Sequence, residues 1–308
     1  MSIISGKKVV VTGGQGFLGR FVIRKLERLK ANIFAPSKDD YDFRRLDDCL
    51  KAFKGAEIVI HLAAIVGGIE FNRKNQGSIY YDNVVMNTNV IEAARLANVE
   101  KVIQTSSACG YPRDAIVPLK EATFFDGAPE PTNRTYGYAK RLMVVQGQAY
   151  REQYGMNIIS LVLFNMFGPG DNFNPETSHV IPSLIMKCCS DKKLVVWGDG
   201  TPTRSFLYVE DGAEAVAKAA EMYVDMPNEP INIGTDEEIT IKELVQLIVK
   251  HTGFKGNIEF DRSKPNGQPR RCSDVSKAKE LFDFEAKTPF EDGLKKTIEY
   301  YKGLKKII

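Results

Sequence analysis

Val9-Val10-Val11-Thr12-Gly13-Gly14-Gln15-Gly16-Phe17-Leu18-Gly19 passes from a β-branched apolar run into a glycine-rich turn. The residues that follow, Phe17, Leu18, Phe21, Val22, Leu26 and Leu29, recur at helical spacing. The reading is strand, turn, helix. Glycines at 13, 16 and 19 fall where a turn is tight, where backbone must come close to a pyrophosphate, and where a helix packs closely on a sheet. Alone the motif is weak, because a plain tight turn can also carry three glycines.

Outward from this turn, residues 33–35, 58–60, 102–104 and 158–164 are further strand-like apolar runs, and the stretches between them, such as 83–97 and 138–154, are long enough for helices. Such alternation predicts an α/β fold: a doubly wound, Rossmann-like parallel sheet with helices on both faces. The pattern changes at Phe167-Gly168-Pro169-Gly170-Asp171-Asn172-Phe173-Asn174-Pro175, which reads as a long loop. Residues 205–222 return to strand then helix, and 239–248 read as a helix with Thr240 as N-cap and Glu243 three residues on. A chain of 308 residues exceeds what one core fills. The expected division is a dinucleotide-binding domain of 1–165 and 206–235, and a smaller, discontinuous α/β substrate domain of 166–205 and 236–308.

Composition narrows the function classes. With 42 basic and 39 acidic residues the net charge is +3, so a nucleic-acid polycation is not expected, and 43% hydrophobic residues argue against disorder. The longest nearly uncharged apolar stretch, 58–69, falls short of the roughly 20 residues of a spanning helix, so no membrane partner is expected. Met1-Ser2-Ile3-Ile4-Ser5-Gly6-Lys7-Lys8 lacks the pattern of a secretory signal. Five cysteines, at 49, 109, 188, 189 and 272, form no C-x-x-C pair, so a reducing cytoplasm is expected and no metal site.

Two further stretches sharpen the glycine turn. Tyr136-Gly137-Tyr138-Ala139-Lys140 sets a tyrosine and a lysine four apart, on one helix face, where an ammonium can stabilise a phenolate that exchanges protons with a sugar hydroxyl or ketone. Thr105-Ser106-Ser107-Ala108-Cys109-Gly110-Tyr111-Pro112 ends the strand-like run 102–104. In an extended chain Ser107 and Cys109 share a face. Cys109 then lies beside a reacting oxygen held by Ser107, or it is a small buried hydrophobe.

Gly13 to Gly19, His61-Leu62-Ala63-Ala64, Ser107, and Tyr136 with Lys140 together resemble the extended short-chain dehydrogenase/reductases that act on nucleotide-diphosphate sugars, over nearly the whole chain. Within that family the resemblance is to the GDP-L-fucose synthases, GDP-4-keto-6-deoxy-mannose 3,5-epimerase/4-reductases. It runs through Ala64-Ile65-Val66-Gly67-Gly68-Ile69, 107–112, Glu130-Pro131-Thr132-Asn133, Gly168-Pro169-Gly170-Asp171-Asn172-Phe173, Ser178-His179-Val180-Ile181-Pro182 and Ser263-Lys264-Pro265-Asn266-Gly267.

The resemblance implies a catalytic group of Ser107, Tyr136 and Lys140, with Cys109 as base and His179 as acid of the epimerisation. It implies cofactor contacts from Gly13, Gly16, Phe17, Leu18, Gly19, Ser37, Lys38, Asp42, Phe43, Leu62, Ala63, Ala64, Tyr136 and Lys140. Sugar-nucleotide contacts would come from Asn165, His179, Lys187, Trp197 and Arg204, the last offering a fork to the diphosphate. His61, in the family's HxAA pattern, is expected to pack, and His251 to end a helix. Asp42 matches the contact to the adenine amino group, or is a solvated turn residue. Residues 262–271 either close over the nucleotide or form a solvated basic loop. In the family, the helices matching 83–97 and 138–154 form a dimer interface, and Val84, Val85, Ile91, Leu142 and Val145 supply apolar residues for one, so a homodimer is expected.

Pro36-Ser37-Lys38 closes the second strand with a hydroxyl and a cation, which suit a 2′-phosphate, so NADP is the expected cofactor. NAD is the alternative, since Gln15 stands where bacterial fucose synthases typically carry arginine. Gly110 replaces a bulkier residue and Ala108 a serine, changing the space beside Cys109. The competing functions are an NDP-sugar 4-epimerase with tightly bound NAD, a reductase-only or epimerase-only relative acting on another NDP-keto-sugar, and a non-catalytic dinucleotide sensor.

Overall fold

The computed structural model describes residues 2–222, 226–264 and 266–305. Met1, residues 223–225, Pro265 and residues 306–308, which fall within the expected domain spans, lie outside the described residues. The first half runs β1 (Lys8–Thr12), α1 (Phe17–Arg28), β2 (Asn32–Phe34), α2 (Leu46–Phe53), β3 (Ile58–His61), α3 (Ile69–Lys74), α4 (Gln76–Leu96), β4 (Lys101–Ser107), α5 (Arg134–Tyr154) and β5 (Ile158–Leu163). Then follow β6 (Met166–Phe167), α6 (Val180–Ser190), β7 (Lys193–Trp197), β8 (Thr203–Ser205), β9 (Leu207–Tyr208), α7 (Val209–Glu221) and β10 (Ile231–Ile233). The chain finishes with β11 (Glu238–Thr240), α8 (Ile241–Thr252), β12 (Asn257–Asp261), β13 (Arg270–Arg271), α9 (Ser276–Phe282) and α10 (Phe290–Lys305).

Six of these strands form a parallel sheet in the order β10-β5-β4-β3-β1-β2. The unbroken valine run of β1 follows from its place inside that sheet, where both faces are covered. Val9 and Val11, with Ile58, Ile60 and Ile103, pack with Phe21, Val22 and Leu26 of α1 and Val216 of α7. Val10, Val59 and Val102 point the other way, into Phe53, Met86, Val90 and Ile91. Each such fully buried side chain contributes about 1.5–3 kcal/mol. The strand order reverses beside β1, which opens a crevice at the carboxyl ends of β1 and β3.

A third core joins α6, β7, α8 and α10 through Ile181, Leu184, Leu194, Leu244, Ile248 and Leu294, with Phe206 stacked on Phe290 and Phe167 tilted against it. Short pairings frame it: β12 with β7, and β8 between β11 and β13. Two details differ from the sequence reading. Ile239 lies in β11, so α8 begins after Thr240, whose hydroxyl and Glu243 complete a reciprocal capping box. Ile91 faces the core instead of the surface, because α4 is apolar on more than one side.

Candidate active site

The glycine turn is shaped by contact distances. Gly13 has φ +69°, and a Cβ there would stand 2.8 Å from Ala63 N; one at Gly19 would stand 2.2 Å from Gly13 O. The turn therefore lies against Ala63, and α1 against the turn. The N-cap of α1, Gly16, has no side-chain cap, and the first turn of the helix carries no acid. That leaves backbone N–H groups and the positive end of the helix dipole for an anion, a chemistry that fits a dinucleotide pyrophosphate. Leu18 and Phe43 are buried, while Phe17, Leu62 and Ala64 are partly so.

Beneath the turn runs a row of polar side chains in register: Thr12 beside His61, His61 beside Gln104, and Gln104 beside Ser160. The Thr12 hydroxyl accepts from Ala63 N–H at 3.3 Å and so donates to His61 Nδ1 at 2.7 Å, leaving Nε2–H to donate to Asn87 Oδ1 at 2.9 Å. Burial drives the imidazole down to about 3. His61 is a neutral packing residue that braces the turn.

At the end of β4 the chain does not stay extended. Ser107 caps a short 3-10 turn over 108–110, its Oγ accepting from Cys109 N–H at 3.2 Å. The shared strand face expected for Ser107 and Cys109 is thus replaced by a capped turn, the usual competition of a serine hydroxyl with the ladder. Helix α5 begins at Arg134, four residues before the expected start, which puts both Tyr136 and Lys140 inside it and buried. Burial, and then the nearby Cys109, push the Tyr136 phenol above its ordinary value, and the hydrogen bond from Ser107 works against both. Lys140 Nζ donates to Thr105 O at 2.8 Å and stands 5.8 Å from the Tyr136 ring centre. Burial lowers its ammonium to about 8. Ser107, Cys109, Tyr136 and Lys140 are therefore brought together.

His179 precedes α6. Its surface is exposed, while the protein packed around the ring lowers its imidazole. The 64–69 loop meets its segment: Gly68 N–H donates to Thr177 O at 2.9 Å. Asn165 Nδ2 donates to Ser205 O at 2.9 Å, and Lys187 Nζ to Val195 O at 3.1 Å. Trp197, half exposed at the end of β7, carries Lys264 Nζ 5.7 Å from its ring centre.

The sequence reading did not single out Arg271. The parallel register of β13 on β8 sets Arg271 directly beside Arg204, and neither guanidinium has a carboxylate partner among the described residues. Burial, then Arg271, lower Arg204 to about 10. Like charges side by side on neighbouring strands destabilise a sheet, so the pair is arranged for an anion from outside. Arg271 Nη1 also lies 4.0 Å from Cys109 Sγ, joining this cationic pair to the Ser107 cluster. Its only sequence signal was a basic loop, because the register that makes the pair is tertiary.

Other expected residues have local partners. Ser37 Oγ accepts from Asp39 N–H at 3.2 Å, and Lys38 is exposed. Asp42 is gripped by Arg44, whose Nε reaches Oδ1 at 2.9 Å and whose Nη2 reaches Oδ2 at 2.9 Å, holding the carboxyl below its usual value. Arg44 also reaches Asp82 Oδ1 at 3.0 Å. At Gly110 a Cβ would stand 2.4 Å from the buried Phe124 ring. His251 ends α8 and pairs with Glu291 Oε1 at 2.6 Å.

Comparison with known proteins agrees with this geometry. The chain is 38% identical to the probable GDP-L-fucose synthase 1 of Oryza sativa subsp. japonica, covering 96% of this chain and 92% of that protein. A crystal structure of a GDP-L-fucose synthetase from Naegleria fowleri bound to NADP superposes with a TM-score of 0.88 at 31% identity, covering 99% and 97% of the two chains. A GDP-6-OMe-4-keto-L-xylo-heptose reductase from C. jejuni superposes at 0.91 with 27% identity, covering 99% and 100%. The model of the NAD dependent epimerase/dehydratase family matches residues 9–234, and this chain belongs to that family.

Proposed function

We propose that the chain epimerises C3 and C5 of an NDP-4-keto-6-deoxy-hexose, GDP-4-keto-6-deoxy-mannose first, and reduces the 4-ketone with NADPH. The observation that carries this reading is the meeting of a buried Tyr136–Lys140 pair, Ser107 and Cys109 beside two arginines that have no carboxylate partner among the described residues. Whole-length likeness to GDP-L-fucose synthases supports the same sugar class.

Protons on carbons beside a ketone are acidified because the resulting carbanion delocalises onto the oxygen. Ser107 and Tyr136 would hold that oxygen. Inversion then needs removal of a proton on one face and return on the other. We assign removal to Cys109 and return to His179, since a thiolate is a competent base and the protein packed around the His179 ring, which lowers its imidazole, makes the protonated form give up its proton more readily. Bound NADPH would supply the hydride for C4. Tyr136 would give the alkoxide its proton, with the Lys140 ammonium offsetting the charge left on the phenol. Arg204 and Arg271 would grip the diphosphate, with Asn165, Lys187 and Trp197 along the rest of the sugar nucleotide.

For the cofactor we assign the pyrophosphate to the turn of Gly13, Gly16 and Gly19 and a 2′-phosphate to Ser37 and Lys38, which favours NADP over NAD. Asp42 and Phe43 would flank the adenine, with Leu62, Ala63 and Ala64 under the nicotinamide half. Residues 1–165 and 206–235 would form the cofactor domain, and 166–205 and 236–308 the substrate domain. Tyr80, Tyr81, Tyr138, Leu142 and Val145 are exposed on α4 and α5, which supports a homodimer through that face. All five cysteines are free, in keeping with a cytoplasmic enzyme, and no helix of the described residues is long and apolar enough to cross a membrane.

Incubation with GDP-4-keto-6-deoxy-mannose and NADPH in deuterated water tests the reading. NADPH loss with deuterium at both C3 and C5 is the expected result. NADPH loss without label would replace it by reduction alone, a reading the likeness to the C. jejuni heptose reductase favours. Label without NADPH loss would leave an epimerase, and neither would point to another nucleotide sugar or a recycled, tightly held NAD.

A further inference from the structure

Asn133 stands directly before α5 and does not do what its position suggests. An asparagine at a helix N-cap ordinarily accepts from a backbone N–H of the first turn, yet Asn133 makes no such bond. Its carboxamide is turned to the sulfur of Cys109, with Nδ2 donating to Sγ at 3.1 Å. Its Oδ1 is buried without a partner. A forgone cap and an orphaned buried acceptor both weaken the fold, and local losses of this kind gather where a site requires them.

Among the described residues, the charged and titratable groups that face Cys109 are Arg271 from β13, with Nη1 at 4.0 Å, and Tyr136 from α5. Arg271 is itself tied to Gln268 Oε1 at 2.8 Å. The carboxamide makes the shorter contact and, unlike the guanidinium, needs no diphosphate to be shared with. An N–H donor strengthens as its acceptor gains negative charge. It also holds the Cys109 side chain in one rotamer.

We propose that Asn133 is a positioning residue whose carboxamide N–H holds Cys109 Sγ in one orientation for attack and for proton removal. The consequence for catalysis rests on the epimerase reading given above; the contact does not. The test is the rate at which iodoacetamide alkylates Cys109 in the full-length protein across neutral and alkaline pH, with the labelled cysteine identified by peptide mass. Asn133→Ala removes the donor, and the nearly isosteric Asn133→Asp replaces it with a second acceptor.

At neutral pH alkylation is expected to slow about tenfold in Asn133→Ala and further in Asn133→Asp. NADPH binding should be unchanged. Asn133→Gln, which keeps an amide, should restore part of the rate. Should Asn133→Ala fail to fold, Asn133→Asp decides the matter. A wild-type alkylation rate in Asn133→Asp would overturn the proposal. Deuterium incorporation from solvent into the keto-sugar should fall in parallel with alkylation. If the wild-type protein incorporates no deuterium, the epimerase reading fails while the alkylation series still decides the role of Asn133.

Discussion

Gly137 follows Tyr136 in the first turn of α5, and a Cβ built there would stand 2.3 Å from the Cys109 carbonyl oxygen and 2.9 Å from Pro129 Cβ. Ordinary contact begins at 3.4 Å, so Gly137→Ala must move helix and turn apart by about 1 Å. In an unobstructed helix the same change stabilises by up to about 1 kcal/mol. Overpacking against backbone costs about 1–3 kcal/mol, so a net loss of about 1–2 kcal/mol and a fall in Tm of about 2–5 °C are expected. Because the displaced parts carry Tyr136 and Cys109, a shift of that size should lower kcat about a hundredfold. Thermal melts and NADPH turnover read the two effects separately. Gly77 in α4 and Gly303 in α10 have nothing within 4 Å of a built Cβ, so alanine at either should raise Tm and leave turnover alone. A Gly137→Ala enzyme with raised Tm and full turnover would refute the close approach of helix to turn.

Tyr136→Phe should abolish ketone reduction while NADPH still binds, as read by fluorescence titration; retained turnover would remove Tyr136 from the chemistry. Arg271→Gln should raise KM for the sugar nucleotide at least tenfold yet leave the sugar-free protein about 0.2–1 kcal/mol more stable, because it relieves the cross-strand charge pair with Arg204. Unchanged KM would refute the anion site. Asp171 is buried, with Oδ2 unpartnered, and burial raises its carboxyl from 3.8 to about 7. Its folded form binds the proton more tightly, so stability is greatest below 3.8 and is lost as pH rises through about 7, by at most about 4 kcal/mol at 1.36 per pH unit. The Tm advantage of Asp171→Asn should therefore grow across that interval; a pH-independent difference would contradict it. Leu142→Glu, on the exposed face of α5, should give a monomeric mass in light scattering, and a dimer would place the interface elsewhere.

Much of the site was legible because it depends on short-range spacing. The glycines at 13, 16 and 19 and the Tyr136–Lys140 pair lie within single turns, where sequence separation is nearly spatial separation. The Thr240–Glu243 capping box is local in the same way. Cys109 was misplaced in direction, because the extended reading of 105–109 ignored the ability of the Ser107 hydroxyl to cap a turn. What occupies the space at Gly110, the ring of Phe124 fourteen residues on by the numbering, is a contact the sequence does not show. The pairing of Asp42 with Arg44 was within reach of the sequence and went unread.

Periodicity and turn chemistry by themselves determined a parallel α/β sheet with a dinucleotide turn and a helix carrying a tyrosine and a lysine on one face, since each follows from contacts a few residues long. Only the tertiary structure decided that Ile231–Ile233 would be the sixth strand, that Arg204 and Arg271 would stand side by side, and that Asn133 would turn from its helix to the sulfur of Cys109. Strand register and the meeting of separate loops are set by packing the whole core at once, and no local stretch carries that information.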